Sequence, residues 1–275
     1  MEINRFNVIE IIKKSGLEPD KDYGQNFLLE TNICEKIVDC LDAQPNEKVL
    51  EIGPGIGSLT HFLSLKEMAC LDLVDIDERM INFLKIIYNK DNINLILSDI
   101  RKYDVSGYDK IIGNLPYNIT TETVQYLLEH ARNAKKLVLM CQAEAFSRFS
   151  DVTGKEYGPL SIFIHLLGTI NRKMTVKPGS FYPAPKCSSI VFEINVLNTY
   201  DFDHIFSIFN FSKSMFSNRR KTIHNNLSSL LDDKEKSLKI LNDLNIPINK
   251  RPEELSPETF VKMYDHLKCI SKLFS

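Results

Sequence analysis

"KVLEIGPGIGSLT", residues 48–60, is the stretch whose reading decides the fold. It opens as a short β-rich run, "KVLEIG". Gly53, Gly55 and Gly57 then mark a turn, and "SLTHFLSL" reads as a helix. Glycine lets the backbone pass close to a ligand and adopt φ > 0. Phosphate-loop and dinucleotide proteins use related strand-to-helix turns. The absence of GK[ST] argues against a P-loop.

The same rhythm continues outward from this unit. "CLDLVDID" (70–77) reads as a second strand, "ERMINFLKIIY" as a helix and "NLILSD" (94–99) as a third strand. "YDKIIGN" (108–114) is a fourth strand. "TTETVQYLLEHA" is a helix that Thr120 or Thr121 is expected to cap. "KLVLMC" is a fifth strand, and "AEAFSRF" begins another helix. Apolar strands alternating with amphipathic helices predict an α/β domain, with parallel strands covered on both faces. "TINRKMTVKPG" and "SSIVFEINVL" (188–197) read as two further strands joined through "SFYPAPK", expected as an antiparallel pair at one sheet edge. From about residue 199 only amphipathic helical patterns remain. The expected division is therefore 1–198, an α/β domain, and 199–275, a small all-helical domain.

The 275 residues are 43% hydrophobic and 25% charged, ordinary for a soluble chain with a real core. No apolar run approaches a membrane span. The acidic residues of "MEINRFNVIEIIKKSG" argue against a transit peptide, and the segment lacks a signal core. Six scattered cysteines without a CxxC read as reduced thiols in a cytosolic protein with no metal site. Net charge is −2, which does not advertise nucleic-acid binding, although 199–275 holds 12 Lys+Arg against 10 Asp+Glu.

Four strand ends carry the chemistry. The first ends at Gly53 and its turn, with Gly55. The second ends at Asp75, 22 residues after Gly53. A carboxylate there suits a ribose diol. Asp77 competes for that role, but the phase of "LDLVDID" makes Asp75 the end of the apolar run and Asp77 a helix cap. The third strand ends at Asp99, where an acid suits an adenine exocyclic amine. The fourth ends in "GNLPYNI", residues 113–119. By itself "NLPY" is a turn. In register with the other three ends, it joins a site for an adenosine-containing cofactor, and S-adenosylmethionine fits.

An exocyclic amine is a poor nucleophile, because its lone pair is delocalised into the ring. Two acceptors that bond its hydrogens localise that pair. The Asn114 side-chain oxygen and the Leu115 carbonyl suit this, Pro116 stiffens the backbone, and Tyr117 offers a face for base stacking. Phe181 or Tyr182, held by Pro183 and Pro185, supplies a second ring for a base extruded from its helix.

Together "GQNFL" (24–28), "EIGPGIGSLT", "VDID", "SDI" (98–100), "GNLPYNI", "YGPLS" (157–161), "FYPAPKCSS" and "FSNRRKTIHNNL" (216–227) resemble the KsgA-type ribosomal RNA adenine dimethyltransferases, relatives of the Erm methyltransferases. They span nearly the whole chain in the family's order. The resemblance implies a Rossmann-like class I methyltransferase sheet ending in a reversed strand, with a small helical domain. It implies transfer of methyl groups from S-adenosylmethionine to N6 of two adjacent adenosines near the 3′ end of small-subunit rRNA. Asn26, Leu28, Gly53, Asp75, Asp99 and Asn114 would contact the cofactor. Asn114, Leu115, Tyr117 and Phe181 would handle the base. Arg219, Arg220 and Lys221 would contact phosphates. The family usually has Glu where this chain has Asp75.

The near-neutral chain implies recognition of folded rRNA on a pre-ribosomal particle by shape and local patches. A cytoplasmic monomer is the expected form. The rival readings are an Erm-like enzyme of large-subunit rRNA, a DNA adenine methyltransferase, and a non-catalytic RNA-binding assembly factor. A DNA enzyme more often shows NPPY or DPPY, and a pure binder need not keep Asn114 and Tyr117.

Overall fold

Parallel strands need a crossover between each pair, and a helix that covers the sheet serves as that crossover. The alternating pattern produces this arrangement in the computed structural model, which describes residues 5–20, 22–197 and 201–270. In chain order the elements are α1 (Arg5–Ser15), β1 (Phe27–Leu28), α2 (Thr31–Leu41), β2 (Lys48–Ile52), α3 (Ser58–Leu63), β3 (Cys70–Asp75) and α4 (Glu78–Ile87). Then come β4 (Ile93–Leu97), β5 (Lys110–Asn114), α5 (Thr120–His130), β6 (Lys136–Gln142), α6 (Ala143–Ser150) and α7 (Pro159–Leu167). The chain continues through β7 (Gly168–Val176), β8 (Phe181–Tyr182) and β9 (Ser189–Val196). It ends in α8 (Phe202–Phe216), α9 (Ile223–Leu231), α10 (Lys234–Asp243) and α11 (Pro257–Ile270).

Two compact units result: Met1–Phe146 with Ile170–Val196, and Ser147–Thr169 with Leu197–Ser275. The boundary expected at Asn198 lies outside the described residues. Ser147–Thr169, placed by the sequence pattern with the α/β part, groups with the C-terminal helices. The reason is visible in α7, "PLSIFIHLL", which is buried almost all round. A helix apolar on every side needs cover on every side.

The first unit is built on a sheet of order β4-β3-β2-β5-β6-β9-β7. β4, β3, β2, β5 and β6 pair in parallel. β9 runs antiparallel to β6, with Ser189 opposite Gln142. The chain steps from β2 outward to β3 and β4, then returns to the other side of β2 as β5. That reversal of strand order opens a crevice above the carboxyl ends of β2 and β5, where α/β sheets bind ligands. The two strands approach closely there. A Cβ on Gly113 would lie 2.8 Å from the Ile52 carbonyl oxygen, so only glycine fits.

Two local expectations change. The second strand stops at Asp75, and Ile76 and Asp77 turn into α4. Asp77 caps that helix by accepting the Arg79 N–H at 3.0 Å. Thr120 does not cap α5. Ile119 holds the cap position, and the Thr120 hydroxyl donates to the Pro116 carbonyl at 2.9 Å. The turn set by Pro116 folds back early, so the threonine is already inside the first helical turn.

A two-stranded ribbon joins distant pieces of sequence. Phe27 pairs with Tyr182 and Leu28 with Phe181, antiparallel. In the second unit aromatic packing sets the core, with Phe163 stacked on Phe209 at 4.5 Å between ring centres. Thr222 caps α9, accepting the Asn225 N–H. Among the described residues no helix is long and apolar enough to cross a membrane. No group of three or more His, Cys, Asp or Glu is placed to hold a metal ion, again among the described residues.

Candidate active site

The crevice at the β2/β5 switch is lined by residues from four places in the chain. "YGQNFL" contributes Tyr23 to Leu28, and the turn after β2 contributes Gly53, Pro54 and Gly55. The end of β3 contributes Asp75 and Ile76, and the end of β5 contributes Asn114, Leu115, Pro116 and Tyr117. Glu51, Ser58 and Leu59 complete the wall. None of these residues is Lys or Arg.

Each place is fastened to another. Gly55 takes φ +55°, and a Cβ there would meet the Phe27 ring at 3.0 Å, so the absence of a side chain seats Phe27 over the turn. The Ser58 hydroxyl donates to the Leu28 carbonyl at 2.8 Å. Gln25 donates from Nε2 to Asp77 at 2.8 Å. Asn114 donates from Nδ2 to the Asn26 carbonyl at 3.0 Å, across 88 residues of chain. The strip and the β5 turn are thereby registered to each other.

Asp75 is 7% exposed. It accepts the Gly55 N–H at 3.1 Å and the Asp77 N–H at 2.9 Å. Burial nevertheless pushes its carboxyl up to about 6. Glu51, 1% exposed, accepts the Thr60 hydroxyl at 2.7 Å. Burial, with the nearby Asp75 charge adding to it, pushes Glu51 up to about 8. Two carboxyls lie on one wall with no lysine or arginine lining it among the described residues.

Asn26, Leu28, Gly53, Gly55, Asp75, Asn114, Leu115 and Tyr117 are thus brought together. Asp99 is not among the lining residues. It caps the short turn Ile100–Lys102. The Arg101 guanidinium binds both its oxygens, at 3.1 and 2.8 Å. Those hydrogen bonds hold its carboxyl below the usual range. Phe181 is 3% exposed and packs in the core with Leu28 and Met140, while Tyr182 is half-buried.

Arg219, Arg220 and Lys221 lie in the second unit. Arg219 turns inward, donating to the Tyr157 carbonyl at 2.7 Å and the Gly154 carbonyl at 3.3 Å, with Glu253 at 3.4 Å. Arg220 and Lys221 are exposed.

Sequence reasoning missed Glu51, Gln25 and Ser58. Glu51 had a signal: an acid inside an otherwise apolar parallel strand is a buried charge that needs a reason. Gln25 and Ser58 had none, since both work through contacts to distant segments.

Residues 17–268 match the family model described as "Ribosomal RNA adenine dimethylase". The chain is 34% identical over 266 residues to "Ribosomal RNA small subunit methyltransferase A" of Malacoplasma penetrans, covering 95% of this chain and 96% of that protein. It is 36% identical over 283 residues to the protein of that name from Lactobacillus johnsonii, covering 94% of each. Among solved structures it resembles a dimethyladenosine transferase from Plasmodium falciparum (TM-score 0.77, 26% identity, 88% of this chain and 98% of that one). The 23S rRNA methyltransferase ErmE shares the fold (TM-score 0.69, 20% identity, 88% and 99%).

Proposed function

The chain belongs to the ribosomal RNA adenine dimethylase family of methyltransferase enzymes, and on that premise we propose that it transfers methyl groups from S-adenosylmethionine to N6 of two adjacent adenosines near the 3′ end of small-subunit rRNA. Relatives at 34–36% identity carry the small-subunit name, which favours this target over the large-subunit one. The observation that carries the proposal is the orientation of the Asn114 amide. With Nδ2 committed to the Asn26 carbonyl, Oδ1 is the acceptor that remains on that side chain.

The donor set of the crevice suits this cofactor. Two buried carboxyls, with no lysine or arginine in the wall among the described residues, favour a cationic ligand over a diphosphate. When bound, the cofactor supplies an electrophilic methyl group on a sulfonium. Asp75 would accept from the ribose hydroxyls. Asn26, Leu28 and the Gly53–Gly55 backbone would hold the rest of the nucleoside. Asp99 would accept from the adenine amine while keeping its Arg101 clamp.

Asn114 Oδ1 and the Leu115 carbonyl would accept the two hydrogens of the target amine. The neighbouring Pro116 carbonyl is already taken by the Ile119 N–H and the Thr120 hydroxyl. The Leu115 carbonyl, one residue earlier, is the acceptor assigned to the amine. The Leu115 N–H donates to the Met140 carbonyl at 3.0 Å, which fixes the peptide to β6. Drawing both hydrogens to one side localises the nitrogen lone pair, and positioning supplies much of the rate. Tyr117 stacks on the base, worth about 1–3 kcal/mol per base. The second ring is proposed at Phe181 from the family resemblance. The enzyme would act in the cytoplasm, as a monomer, on a pre-ribosomal particle, with Arg220 and Lys221 on phosphates.

Asn114→Ala tests this reading. With labelled cofactor and small subunits lacking the modification, turnover should fall at least about 100-fold while RNA binding survives. Wild-type turnover would refute the clamp, and mapping the labelled nucleotide tests the target.

A further inference from the structure

Parallel strands present their last residues to the ligand edge of the sheet. β9 is reversed, so it presents its first. Ser189 opens β9, opposite Gln142 at the carboxyl end of β6. It is completely buried, and a buried hydroxyl must find its partner within the protein. Its partner is the Tyr117 hydroxyl, 2.9 Å away and 72 residues distant in sequence. Tyr117 is half-buried and lines the crevice.

The Tyr117 ring is therefore held at both ends. Its backbone follows the Pro116 turn, tied to β6 through Leu115. Its far end is tied to β9. A ring pinned in this way has a fixed plane and a fixed depth in the crevice. A stacking platform needs both, because a base placed about 1 Å out of line loses much of the benefit of orientation. Burial of the ring, working against the Ser189 bond, bears on proton chemistry. Burial raises the Tyr117 hydroxyl above its ordinary range, so it stays protonated at neutral pH and is no proton acceptor. Of the two jobs open to a tyrosine beside a reacting amine, positioning is the one this geometry serves.

We propose that Ser189 is a positioning residue for methyl transfer, whose hydroxyl holds the Tyr117 ring at the depth where it meets the target base. This rests on the reading of Tyr117 as the stacking ring.

The test uses the full chain with Ser189→Ala, Tyr117→Phe, the double variant and Tyr117→Ala. Turnover on unmodified small subunits, cofactor affinity by calorimetry and thermal unfolding are measured for each. Ser189→Ala and Tyr117→Phe should each lower kcat about tenfold, with cofactor affinity unchanged. The double variant should be no worse than the poorer single one, because each removes the same bond. Tyr117→Phe should keep the wild-type shape of the pH–rate profile. Tyr117→Ala should fall further.

Wild-type kcat in Ser189→Ala, with Tyr117→Ala inactive, would overturn the anchor and leave the stacking ring standing. Wild-type kcat in Tyr117→Ala would remove the ring reading and the anchor with it. Multiplying losses in the double variant, or a lost limb in the pH profile of Tyr117→Phe, would each overturn the anchor. Should Ser189→Ala not fold, Tyr117→Phe decides alone: an unchanged kcat refutes the proposal and a tenfold loss at constant pH shape supports it.

Discussion

The exits of β3 and β4 look alike in sequence, for each apolar run leads into an aspartate, Asp75 as the last residue of β3 and Asp99 two residues past Leu97, the end of β4. Their electrostatics are opposite. Asp75 has no cation beside it among the described residues, lines the crevice and is pushed up to about 6 by burial. Asp99 is gripped by Arg101 and held below its usual range. Asp77 sides with Asp99. Burial pushes it up, but bonds from Arg79 and Gln25 outweigh that and hold it low. An acid kept at a cost to the fold is available for a cationic ligand. An acid already neutralised by an arginine has less charge to offer one and keeps at most a lone pair for a neutral donor.

The comparison breaks first on alanine substitutions. Asp75→Ala should weaken cofactor binding by about 10–100-fold, the loss expected for a charged hydrogen-bonding group. Asp99→Ala should lower affinity far less, while losing about 1 kcal/mol of stability as a missing cap. Calorimetry and thermal unfolding read the two. Equal affinity losses would erase the distinction.

A smaller effect concerns pH. Asp75 and Glu51 have raised values, so the folded chain keeps protons that the unfolded chain has lost. Their contribution to stability is full below the ordinary carboxylate range and declines as pH rises through about 6 and then about 8. A cationic ligand prefers the ionised carboxyls, so its affinity should rise over the same window, by at most about tenfold per pH unit for one proton. Glu51→Gln keeps an acceptor for the Thr60 hydroxyl and removes the charge. It should flatten that rise. Comparing the two proteins cancels the ligand's own titration, and parallel curves would remove Glu51 from the linkage.

The smallest effect carries the contrast into the second unit. Arg219 is committed to Tyr157 and Gly154 carbonyls, whereas Arg220 is exposed. Arg219→Ala should lower the melting temperature and leave the salt dependence of RNA binding intact. Arg220→Ala should reduce the salt slope by about one with stability unchanged. A reversal of these outcomes would exchange the two roles.

Much of this was legible in the sequence. The strand–turn–helix rhythm implied the parallel sheet, and the phase of "LDLVDID" separated Asp75 from the helix cap at Asp77. The sorting of Asp99 was not read, although a signal was present. "DER" (77–79) and "DIR" (99–101) each place an arginine two residues after the acid, where it can bond the carboxylate and stay beside the cap. Asp75 has no such follower. The pairing of "NFL" with "FYP" was beyond local reading, because a two-residue ribbon joining residues 27 and 182 leaves no periodicity. The inward turn of Arg219 was hidden for a similar reason, since its partners are backbone carbonyls some 60 residues away.

Gly113 sets a tolerance. There is no clearance for a side chain between it and the Ile52 carbonyl, so the strand that ends in Asn114 meets its neighbour backbone to backbone. The height of that amide above the sheet is fixed by main-chain geometry, which rotamer hopping and gradual sequence drift in the surrounding core leave almost untouched.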